Sequence, residues 1–102
     1  MSDTVSDEIQ QAAAVDPVVA QLRAEVSEID RAIVELVNRR LELVQQIKER
    51  KSELGIDFVD PAREAEILRI LQRSNRGPLS AEGLAELHAV VLALSKREVY
   101  NL

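Results

Sequence analysis

Apolar residues in this chain fall on helical spacing along most of its length. Between residues 17 and 54 they step by three and four: Val19, Leu22, Val26, Ile29, Ile33, Leu36, then Leu43, Ile47 and Leu54. This heptad-like stripe predicts one long helix with a coiled-coil seam. Asp16-Pro17 marks its start, because Asp caps a helix well and Pro is already shaped for the first helical position. Gly55 marks its end. After a short connection at 56–59, Asp60-Pro61 repeats the start signal. A second helix is then expected to run to about Ser74, with Ile67, Leu68 and Leu71 on its apolar face. Asn75-Arg76-Gly77-Pro78 is a dense breaker. Ser80 caps a third helix, with Glu82 in its first turn, where a negative charge suits the helix dipole. Leu84, Leu87, Val91 and Leu94 form its expected stripe. No segment alternates as a strand would. The reading is all-α, with one long helix and two shorter ones. Residues 1–15, polar and then Ala-rich, are expected to be a flexible tail, leaving 16–102 as one helical domain.

A chain of 102 residues buries a limited core. Pairing of the long seam with a second copy, giving an intertwined helical homodimer, is the expected way to cover it. Composition then removes several kinds of chemistry. Aromatic residues make up 2% and the net charge is −5, which disfavours both base stacking and phosphate-driven binding of nucleic acid. No cysteine is present and there is one histidine, His88, so thiol catalysis and Cys- or His-rich metal sites are excluded. No apolar run reaches the length of a membrane span and the first residues carry no signal-peptide core, so a cytoplasmic protein is expected.

Two charges interrupt the long stripe. At 100° per residue Ile33, Leu36, Arg40, Val44, Ile47 and Lys51 fall within roughly 40° of one line, which puts Arg40 and Lys51 about 16 Å apart along the axis. A charge among apolar neighbours needs an anionic partner or water. One reading is a polar interruption that fixes the register of the seam or pairs with Asp or Glu. The other is a pocket in a helical bundle where Arg supplies a fork for a carboxylate and Lys a point charge, a pairing suited to a small dicarboxylate. The cluster Asp60-Pro61-Ala62-Arg63-Glu64 either only starts a helix or adds a cation and a carboxylate to that pocket. His88 reads as a surface or half-buried histidine with no catalytic role. Lys96, Arg97 and Glu98 read as solvated charges at a helix end.

The ordered set Arg23, Arg40, Lys51, Asp60, Arg63 and Glu64, with spacings of 17, 11, 9, 3 and 1, resembles the AroQ-class, all-helical chorismate mutases, and most closely the mutase domains fused to DAHP synthase. The resemblance covers about residues 18–98. It implies an isomerase of the shikimate pathway that rearranges chorismate to prephenate, toward phenylalanine and tyrosine, with no cofactor and no metal. It also implies a homodimer with shared sites and a partner such as DAHP synthase. By position, Arg40 would hold one substrate carboxylate and Arg23 of the second chain the other. Lys51 would meet the ether oxygen, Glu64 and the backbone near Asp60 would receive the ring hydroxyl, Arg63 would support the wall, and Ser95 would face the pocket. One turn after Ser95 the family has Gln or Glu. Here Val99 stands there, with Glu98 beside it about 100° round the helix. Two alternatives stay open. One is an isochorismate pyruvate-lyase on the same fold. The other is a weakly active or non-catalytic helical dimer that works with a partner.

Overall fold

The structure is a computed structural model that describes residues 16–101, so the expected tail lies outside the described residues. Three helices follow in order: α1 (Pro17–Leu54), α2 (Pro61–Ser74) and α3 (Ala81–Ser95). A π-helical turn, Lys96–Tyr100, continues α3. Among the described residues there is no strand.

Each helix boundary has a local cause. At the start of α1 the Asp16 carboxylate accepts from the Val18 backbone N–H at 2.9 Å, satisfying a donor that the first turn leaves free. At its end Gly55 takes φ +68°, where a side chain would be strained. Two bonds close that end: Ile56 N–H to the Lys51 carbonyl at 3.0 Å and Gly55 N–H to the Ser52 carbonyl at 3.3 Å. This is the paired pattern of a Schellman cap. Asp60 caps α2 by accepting from the Arg63 N–H at 3.1 Å. Asn75 ends α2 and ties the next loop, its amide donating to the Leu79 carbonyl at 2.7 Å. Ser80 caps α3 through the Gly83 N–H at 2.9 Å.

The described residues fall into two compact units, the first ending at Leu36 and the second starting at Val37. The described part of the first is helical apart from Asp16, and its apolar stripe is uncovered: Leu22, Val26, Ile29 and Ile33 are all exposed. In the second unit the core follows one line on α3 and its extension, through Leu84, His88, Ser95 and Val99. This corrects the expected stripe of α3. Leu87 is 51% exposed, while Val91 and Leu94 are half-buried. The buried line runs 84–88–91–95, and a search for apolar residues alone passes over its two polar members. His88, expected at the surface or half-buried, is 7% exposed and so more deeply buried than either.

Past Ser95 the helix widens. Lys48 donates from Nζ to the Val99 carbonyl at 2.9 Å, and the Tyr100 ring stacks on Phe58 with centroids 5.4 Å apart. Asn101 closes the turn by donating its N–H to the Lys96 carbonyl, with φ +59°. A π turn spaces its hydrogen bonds one residue further than an α turn, so the 100° step used for Val99 does not hold there.

Candidate active site

Within the second unit, the C-terminal half of α1, the start of α2 and the end of α3 enclose a cleft of about 310 Å³. Its floor is apolar, formed by Val44, Ile47 and Leu92. Its charged lining is Arg40, Lys51, Arg63 and Lys96 against Asp60 and Glu64, a net of two positive charges. In a chain of net charge −5 this is a local reversal of sign. Such a cleft favours an anion and concentrates its field in a low-dielectric hollow.

Each charged group is held by a specific partner. The Arg40 guanidinium donates through Nη1 to the Ser95 hydroxyl, which itself donates to the Val91 carbonyl at 3.1 Å. Ser95 thus fixes the end of Arg40 and leaves four of its five N–H donors for a ligand. Lys51 reaches from α1 to the α1–α2 connection, donating from Nζ to the Phe58 carbonyl at 3.1 Å, and keeps two more donors. Asp60 lines the cleft while serving as the cap of α2. Arg63 lies 3.8 Å from Glu66 in an exposed pair that adds little stability. Glu64 is the more sheltered carboxylate: its Oε1 lies 3.2 Å from Lys96 Nζ, with side-chain exposures of 27% and 36%.

A second chamber of about 270 Å³ shares Arg40, Glu64 and the apolar floor and extends to Ile67 and His88. His88 Nε2 is buried there without a hydrogen-bond partner among the described residues. No three His, Asp or Glu side chains among the described residues group so as to hold a metal ion.

The structure therefore brings Arg40, Lys51, Asp60, Arg63, Glu64 and Ser95 to one cleft. Arg23 belongs to the first unit. Glu98 is exposed and pairs with its neighbour Arg97 at 3.0 Å. Val99 is 6% exposed, packed in the core and not in the lining of the cleft. Lys96, expected to be a solvated end charge, instead faces the cleft and pairs with Glu64. Its place directly after Ser95 is the one sequence signal that it sits beside the site. Phe58 and Tyr100 also line the cleft and had no signal beyond being the chain's two aromatic residues.

Three comparisons bear on this arrangement. The family model for chorismate mutase type II matches residues 22–100. The T-protein of Enterobacter agglomerans is 40% identical over 81 residues, covering 78% of this chain and 21% of that protein. A chorismate mutase of Methanocaldococcus jannaschii is 39% identical over 46 residues, covering 45% of this chain and 46% of that protein. The chain thus spans about a fifth of one of these relatives, and its match covers under half of the other. Two structures of chorismate mutase from Thermus thermophilus are similar at 36% identity over 76% of this chain. Form II has a TM-score of 0.73 with 88% of its chain covered, and form I has 0.74 with 96% covered.

Proposed function

The chain belongs to the chorismate mutase type II family, and on that premise we propose that it is an isomerase converting chorismate to prephenate. The observation that carries this reading is the cleft with a net of two positive charges, a match for a substrate with two carboxylates. In the reaction a C–O bond breaks and a C–C bond forms within one molecule, so the site needs no nucleophile, metal or proton donor. It needs a surface that holds the compact reactive conformer, with the reacting carbons close together. It also needs fixed positive charge where the ether oxygen becomes negative. The Arg40 fork, held by Ser95, takes a carboxylate. Lys51 faces the ether oxygen, Glu64 accepts from the ring hydroxyl, and Val44, Ile47 and Leu92 exclude water behind the ring. Chorismate loss with matching prephenate formation by the purified protein tests the reading. A folded protein that leaves millimolar chorismate untouched overturns it. Pyruvate release from isochorismate by a protein inert toward chorismate would replace it with the lyase.

The proposed assembly is a homodimer. Four apolar side chains in the first unit, Leu22, Val26, Ile29 and Ile33, are 51–59% exposed, so covering what remains of each would contribute roughly half of the full-burial value, about 1 kcal/mol. The second copy's Arg23 then completes the site with the other carboxylate contact. Sedimentation at micromolar concentration should give a dimer, and the melting temperature should rise with protein concentration. A folded, fully active monomer would contradict this. No described helix is long and apolar enough to cross a membrane, and the proposed location is the cytoplasm. The proposed protein partner is a DAHP synthase, whose addition should raise the turnover of a protein lacking a polar group at Val99.

A further inference from the structure

We propose that Lys96 is a positioning residue of the site, acting through Glu64 to make a cleft that contains a carboxylate acceptable to a dianion. The proposal rests on the dicarboxylate reading of the cleft. Glu64 is the sheltered carboxylate of the lining, and it shares that lining with a ligand expected to carry two negative charges. Left alone it would repel the ligand at short range, where water screens poorly. Lys96 Nζ stands 3.2 Å from its Oε1. The ammonium cancels the charge and holds one oxygen, leaving Oε2 free to accept from a hydroxyl.

Lys96 reaches this place from α3, on the turn that begins after the buried Ser95. Arg40 is tied to Ser95 and Glu64 to Lys96, so two adjacent residues of α3 and its extension fix one charged group each from α1 and α2. Val99 is not in the lining, so the polar side chains that this segment brings to the cleft are Ser95, Lys96 and Tyr100, of which Ser95 holds Arg40 and Lys96 holds Glu64.

The test is a double-mutant cycle on the full-length protein with Lys96→Met, Glu64→Gln and the pair. It is read as chorismate kinetics and as calorimetric affinity for prephenate. Lys96→Met should lower kcat/KM by about tenfold, mainly through KM, because the unbalanced carboxylate opposes the dianion equally in the ground and transition states. In the Glu64→Gln background, where no carboxylate needs balancing, the same change should cost less than about twofold. Lys96→Arg should stay within about threefold of wild type, since it keeps the charge beside Glu64. Equal losses from Lys96→Met in both backgrounds would overturn the proposal, as would no loss in either, or a loss explained by a matching fall in melting temperature. A protein that binds prephenate without turning chorismate over refutes the mutase reading while the cycle still reports on Lys96. One that binds neither ligand refutes both claims.

Discussion

Lys51→Ala is expected to lower kcat for chorismate by roughly 10²–10³ while KM changes little, the usual consequence of removing one donor aimed at developing charge. The ether oxygen carries little charge in bound chorismate and more as the C–O bond opens, so a cation facing it favours the transition state selectively. Lys51 also ties the α1–α2 connection through the Phe58 carbonyl at 3.1 Å, and alanine removes both roles together. Lys51→Gln separates them. The Gln amide can still donate to a carbonyl but carries no charge, so the connection keeps a donor while the cation proposed for the ether oxygen is removed. Both variants should be slow. If Lys51→Gln is as fast as wild type and only Lys51→Ala fails, Lys51 serves the connection and not the ether oxygen. Circular dichroism on each variant should show unchanged helix, because Lys51 lies at the end of α1 and no residue of that helix is buried.

What the sequence disclosed follows from how local each signal is. Asp16-Pro17, Asp60-Pro61 and Ser80 announce the three helix starts, because a cap is a contact between residues two or three apart. Gly55 announces the end of α1 for the same reason, through its positive φ. The shared face of Arg40, Val44, Ile47 and Lys51 is readable because α1 keeps its 100° step to Leu54, and all four line the cleft. The step fails after Ser95, where the turn widens under three distant ties: Val99 in the core, its carbonyl on Lys48, and Tyr100 on Phe58. None of these lies within a helical turn of the residue it moves. The same holds for Lys96, whose partner Glu64 sits on another helix, so a run of Lys, Arg and Glu near the chain's end reads as uniformly solvated. His88 is misplaced by the pattern because a polar residue in a buried line breaks the apolar periodicity without leaving the face.

Arg40→Ala should lower kcat/KM by about 10²–10³, with both KM and kcat affected, because a carboxylate clamp acts in binding and in holding the reactive conformer. Arg40 donates to Ser95, and the Ser95 hydroxyl proton is committed to the Val91 carbonyl at 3.1 Å. The hydroxyl therefore acts as an acceptor that pins one arm of the guanidinium and aims the others. Arg40→Lys keeps the charge and loses the planar fork, so it should recover only part of the lost activity. Ser95→Ala keeps the fork and removes the pin, and its loss should be smaller than that of Arg40→Ala, about tenfold. The order of activity expected is wild type, then Ser95→Ala, then Arg40→Lys, then Arg40→Ala. If Arg40→Lys matches wild type, charge alone suffices and the fork has no role. If Ser95→Ala is as damaging as Arg40→Ala, the hydroxyl touches the substrate itself. Should Arg40→Ala stay fully active, the carboxylate lies elsewhere in the cleft and the proposed placement of chorismate fails.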